Sequence, residues 1–152
     1  MTRPLSAALV GTWELRSRED RTQAGERRVD PALGPDPLAL LVYDAHGRFT
    51  AQFMKRDRSD PAPDAGAGAV GPNNSRARGG YDAYFGTYTV DDAAGTVTQR
   101  LTGALSPENV GQVLIRAMTV TGDELTIQLE TTSVDGVPVV RTLRWSRVTG
   151  PT

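Results

Sequence analysis

Few side chains in this sequence could do chemistry, and their types narrow what that chemistry is. There is one histidine, His46, and no cysteine. A thiolate nucleophile, a disulfide framework and a cysteine-ligated metal are therefore excluded. His46 stands in Asp44-Ala45-His46-Gly47, between two apolar runs, where a solvated turn residue belongs. A Ser-His-acid relay would need it as the base, and no serine or acid is spaced to support that. No Asp/Glu spacing matches a metal-ligand loop. Gly66-Ala67-Gly68 and Gly79-Gly80 lack the strand–loop–helix setting of a phosphate loop and its following lysine. Neither a cofactor nor a metal is expected.

What remains is a polar set on strand-like runs: Tyr43, Tyr84, Tyr88, Gln99, Arg116 and Arg141. A small-molecule pocket needs a few such groups among apolar walls, and Trp13, Phe53 and Met118 are wall candidates beside the tyrosines. The expected ligand-binding residues are Tyr43, Phe53, Tyr84, Tyr88, Gln99, Arg116 and Met118. Tyr84 and Arg116 are the catalytic candidates. A tyrosine near an arginine can act as a general acid toward an enolate or alkoxide. The opposing reading puts the tyrosine hydroxyls at the surface and the arginines in solvent.

These residues must be held by strands. From Leu9 the sequence alternates: Trp13, Leu15 and Ser17 on one face, Thr12, Glu14, Arg16 and Arg18 on the other. Glu26-Arg27-Arg28-Val29 is a weaker, edge-like strand. Gly34-Pro35-Asp36-Pro37 leads into the apolar run Leu38–Tyr43, and Gly47 suits the positive φ of the reversal into Arg48–Met54. Tyr81–Val90 places Tyr84, Gly86, Tyr88 and Val90 together, and Gly86 between two tyrosines predicts a bend or a close backbone approach. Val97, Gln99 and Leu101 share the next inner face. Gln112–Val120 is apolar on both sides, so its orientation stays open. Leu125, Ile127 and Leu129 alternate cleanly with polar neighbours. An Asp135-Gly136 turn precedes a last strand with Arg141, Leu143, Trp145 and Arg147 on one face. Eight to ten strands at hairpin spacing, with a short helical or irregular segment before them, predict an all-β, closed up-and-down antiparallel barrel.

The 152 residues carry a net charge of −1, which argues against nucleic acid or an anionic membrane face as partner. The positive charge is almost all arginine, Lys55 being the single lysine, as coding bias would give. One domain spanning 1–152 is expected. Its first eight residues hold no run for a signal peptide, and a cytoplasmic location is expected. The Pro/Gly/Ala-rich stretch 57–80 is either a flexible linker or a lid over a pocket mouth.

The ordered motifs resemble a known family. Leu9-Val10-Gly11-Thr12-Trp13-Glu14-Leu15 resembles the Gly-x-Trp strand that opens lipocalin-type barrels. The likeness runs on through Gly34–Pro37, Tyr43–Arg48, Ala83–Tyr88, Gly95–Gln99, Ser106–Gly111, Arg116, Gly122–Leu125 and Leu143–Arg147. The chain is thus similar to the lipocalin-like domain family of bacteria and fungi. The resemblance implies a calycin-type barrel with an internal cavity, and an arginine from a late strand stacked over the Gly-x-Trp tryptophan. Arg147 is the expected partner of Trp13. Family members often carry a histidine where Gln99 stands. Glutamine hydrogen-bonds but does not titrate, so an acid–base role at that position does not carry over.

Two functions are expected from different classes. One is a container for a small hydrophobic or amphipathic molecule, as a monomer or a homodimer. The other is a cofactor-independent isomerase or cyclase acting on a polyketide- or terpene-like biosynthetic intermediate. Fold alone does not choose between them.

Overall fold

The alternating runs do form strands, and a computed structural model places them; it describes residues 3–59, 75, 77–133 and 135–150. A short helix, α1 (Leu5–Ala8), precedes β1 (Gly11–Thr22), β2 (Arg27–Arg28), β3 (Leu38–Tyr43), β4 (Arg48–Met54), β5 (Tyr81–Asp91), β6 (Thr96–Ala104), β7 (Val113–Thr121), β8 (Glu124–Thr132) and β9 (Pro138–Arg147). Every pairing is antiparallel. Neighbours in sequence pair from β3 to β9, β1 pairs with β3, and β9 returns to β1. The sheet therefore closes as an eight-stranded barrel, with the two-residue β2 appended beside the far end of β1. Closure leaves the eight strands no free edge. The expected all-β, lipocalin-like barrel is what the chain forms. Among the described residues no helix is long and apolar enough to cross a membrane.

Pleating puts alternate residues inside. Phe49, Ala51 and Phe53 of β4, Val97, Gln99 and Leu101 of β6, and Leu125, Ile127 and Leu129 of β8 are buried, as their alternation predicts. The strand with two apolar faces is settled too: Leu114, Arg116 and Met118 point in, while Ile115 is exposed. Gly86 makes the close approach its neighbours suggest. A Cβ there would lie 1.8 Å from the carbonyl oxygen of Arg100, so no larger residue fits without moving backbone. The β5–β6 register slips by one residue at this point.

A second slip lies on the seam that closes the barrel. Leu15 pairs with Trp145, but the next pair is Ser17 with Arg144, so Arg16 is the extra residue of a bulge. Beyond it the faces of β1 exchange. Arg18, expected outside with Thr12 and Glu14, turns inward instead, and Asp20 with it. The seam needs this extra residue: Trp13 and Asp20 are an odd number of positions apart, yet both must face partners on the inner side of β9.

At one end the barrel has a floor. Trp13 is fully buried, and its indole N–H donates to the carbonyl of Leu9 at 3.0 Å. The guanidinium of Arg147, its cross-strand partner, stacks over the ring at 4.3 Å. Arg147 also donates to the carbonyls of Val10 (2.9 Å) and Ala8 (2.6 Å) and to the Asp123 carboxylate (3.2 Å). It thus ties the start of β1, the end of α1 and the β7–β8 turn together. Helix α1 is held by Asp92, whose carboxylate accepts from both the backbone N–H and the hydroxyl of Ser6. Arg147→Met should remove the stack and the charged hydrogen bonds at a cost of about 2–4 kcal/mol, read as a lower urea midpoint with unchanged slope. An unchanged midpoint would show that the floor does not depend on this residue.

Candidate functional site

The walls above the floor enclose a cavity of about 140 Å³. That is space for on the order of ten water molecules. Its apolar and aromatic walls include Leu41, Ala51, Phe53, Met118, Leu143 and Trp145, drawn from four strands. Its polar groups come from β1, β3, β5, β6, β7, β8 and β9, and from Asp30, Ser75 and Ser133 outside the strands.

Tyr43, Phe53, Tyr84, Gln99, Arg116 and Met118 all line this cavity. Tyr88 does not. It shares the inner face of β5 but sits nearer the floor, where its hydroxyl donates to the carbonyl of Asp44 at 2.5 Å and its ring meets Tyr43 edge-on at 4.8 Å. Trp13 lies outside the lining as well, under the floor stack. His46 sits in the β3–β4 turn, where its backbone N–H donates to Asp44.

The polar groups fall into three sets. At the lower end, the Gln99 amide donates to the Tyr43 hydroxyl at 2.5 Å, and that hydroxyl lies 3.9 Å from the Met118 sulfur. Burial pushes the Tyr43 phenol far up, so it stays protonated at any ordinary pH.

Near the mouth lies an ion-pair network the sequence pattern does not disclose. Arg141 donates twice to Asp20, at 2.8 and 3.0 Å. These two are directly opposite on the seam, so the barrel register itself builds the bidentate pair. Arg18 donates to Asp30 at 3.0 Å, and Arg141 lies 3.7 Å from the same oxygen. Burial alone would raise the Asp30 carboxyl, but Arg18 and Arg141 together hold it below the usual carboxylate range. Burial, and then the charge of Arg141, lowers Arg18 to about 10. Asp30 belongs to the segment between β2 and β3, whose Pro31, Ala32 and Leu33 also line the cavity. That segment is the cap over the mouth. The lid expected from 57–80 concerns mostly residues 60–74 and 76, which lie outside the described residues; from that stretch Ser75 and Ala77 reach the lining.

The third set is uncompensated. Arg116 is only 7% exposed. Among the described residues its single side-chain hydrogen bond runs to the carbonyl of its neighbour Ile115, at 3.2 Å. No carboxylate is paired with it among the described residues. Burial lowers its affinity for the proton, and the neighbouring Tyr84 and Tyr43 partly offset this. Asp82, 4% exposed, accepts from the Ser75 hydroxyl at 2.7 Å through one oxygen, while the other oxygen has no hydrogen-bond partner among the described residues. Burial raises its carboxyl pKa despite the Ser75 bond. Tyr84 is pushed up to about 12 by burial and by Asp82, so it remains an O–H donor. Asp82 was legible in principle: it alternates with Tyr84 on β5, the same inner face. Among the described residues no group of three or more His, Asp or Glu is placed to hold a metal.

A family model described as a lipocalin-like domain covers residues 10–148, and the chain belongs to that family. No curated protein matches the sequence.

A buried charge with no counter-charge costs stability, so this set should be a burden on the fold. Arg116→Leu is expected to stabilise the empty barrel by about 1 kcal/mol or more, read by urea unfolding. For Asp82 the folded pKa lies above the unfolded value of about 4. Its contribution is therefore most favourable below that value and is lost as pH rises through the folded one. Asp82→Asn should melt higher than wild type near neutral pH and lose that advantage toward pH 4. Lower melting of both variants at neutral pH would mean these groups are structural.

Proposed function

We propose that this protein binds a small, mainly apolar molecule, hydrophobic or amphipathic, in the barrel cavity, at a site made by Tyr43, Phe53, Tyr84, Gln99, Arg116 and Met118. The observation that carries the reading is the cavity itself: about 140 Å³ with aromatic and aliphatic walls and a few convergent polar groups. A barrel that needed only a core would close that space with larger side chains, because voids cost stability. Membership in a lipocalin-like family supports the same reading. Apolar contact supplies the affinity, roughly 25 cal/mol for each Å² removed from water, and the polar groups orient what enters.

A second reading rests on one specific feature. Asp82 keeps a buried carboxylate oxygen with no hydrogen-bond partner among the described residues, with its pKa raised, beside Tyr84. A carboxylate so placed, its proton affinity raised by burial, can take or give a proton, and Tyr84 with Arg116 can steady an enolate oxygen. That set would serve a cofactor-independent isomerase or cyclase.

Titration with an apolar fluorescent dye such as 1-anilinonaphthalene-8-sulfonate tests the container. Saturable binding at one dye per chain is expected. Thr131→Trp, at the cavity rim, should weaken it at least about ten-fold, or about 1.4 kcal/mol, without lowering the melting temperature. Dye binding that is non-saturable, or unaffected by Thr131→Trp, would remove the reading. The enzymatic alternative needs Asp82→Asn to abolish turnover of a bound compound while leaving its binding intact.

A further inference from the structure

Among the described residues four arginines project inward along the barrel, and three of them are answered. Arg18 pairs with Asp30, Arg141 with Asp20, and Arg147 with Asp123 and two carbonyls. Arg116 is the exception. It is more than nine-tenths buried, lines the cavity, and spends one N–H on the carbonyl of its own neighbour. Of its five guanidinium N–H donors the rest are unused within the described protein. The nearest hydroxyls do not answer a cation. Tyr43 is engaged with Gln99, and Tyr84 faces the same space as an O–H donor. The remaining acid of the wall, Asp82, is turned to Ser75, and no ion pair joins it to Arg116.

We infer that the ligand carries a carboxylate, and that this group meets the Arg116 guanidinium, with the Tyr84 hydroxyl as a second donor, while its apolar body fills the space against Phe53, Met118 and Trp145. The chemistry of the donors argues this. A guanidinium offers parallel N–H bonds matched to the two oxygens of a carboxylate. Phenols held in the protonated form add a donor and no competing charge. The amphiphile enters with its charge neutralised in the cavity, so the desolvation that Arg116 suffers when the barrel is empty is offset on binding. The inference rests on the container reading and narrows it to one class of ligand, a monocarboxylic acid with a short apolar body.

The test compares octanoate with 1-octanol by isothermal titration at pH 7, on the wild-type protein and on Arg116→Met. The two compounds share a chain and differ in the head group. Octanoate should bind wild type at least ten-fold tighter than octanol. In Arg116→Met that preference should vanish while octanol binding is retained. Arg116→Gln, which keeps a polar side chain of similar reach, should behave in the same way and serves if Arg116→Met does not fold. Equal affinity of the two compounds for wild type, or a preference that survives both substitutions, overturns the carboxylate assignment and leaves the container standing. Binding of neither compound overturns the container reading and the assignment with it.

Discussion

A strand whose two ends must both face inward, at an odd separation, has to lose its alternation somewhere, and β1 loses it at Arg16. Everything on the closing seam follows from that one extra residue. Below the bulge, Trp13 faces Arg147 and makes the floor. Above it, Asp20 faces Arg141 and anchors the ion pairs under the mouth. A β1 without the bulge could present one of these partners to the interior but not both. The barrel would then close with either its floor or its mouth unpaired.

The two ends differ in kind, and the cavity lies between them. The floor is dry and aromatic, fastened by a cation over an indole and by carbonyls of the incoming chain. The mouth is charged, fastened by Asp30 of the cap to Arg18 and Arg141 on two neighbouring strands. Both fastenings are internally satisfied. The cavity wall also holds groups that, among the described residues, are not: Arg116, with no paired carboxylate, and Asp82, with one oxygen that has no hydrogen-bond partner. Stability is spent at a place where the fold itself gains nothing, which is the usual mark of a site kept for something that binds or reacts there.

Much of this architecture could be read from residue types alone. Alternation in β4, β6 and β8 gives the inner faces directly. The Trp13 and Arg147 pair that joins the two ends follows from the resemblance to lipocalin-type barrels, and Gly86 is placed by its need for room. Depth is what alternation cannot supply. Tyr84 and Tyr88 share a face, yet only Tyr84 reaches the cavity, because Tyr88 is two inner positions closer to the floor and spends its hydroxyl on the Asp44 carbonyl. Parity beyond the bulge is hidden too. Arg16 carries no sign of being the extra residue, so Arg18 reads as solvent-facing and the network with Asp20, Asp30 and Arg141 goes unseen. The cap is hidden for a different reason. Its hold on the barrel is a long-range ion pair, not a periodic pattern.

The two tryptophans offer the most direct check on where a ligand sits. The Trp13 indole N–H is bonded to Leu9 at the floor, whereas Trp145 lines the cavity and its indole N–H has no hydrogen-bond partner among the described residues. In a ¹H–¹⁵N spectrum the chain therefore gives two indole signals, assignable by Trp13→Phe and Trp145→Phe. On titration with octanoate the Trp145 signal should move progressively to saturation while the Trp13 signal stays in place. A Trp145 signal that does not respond while octanoate binds, or a shift confined to Trp13, would put the ligand outside the cavity and contradict the account.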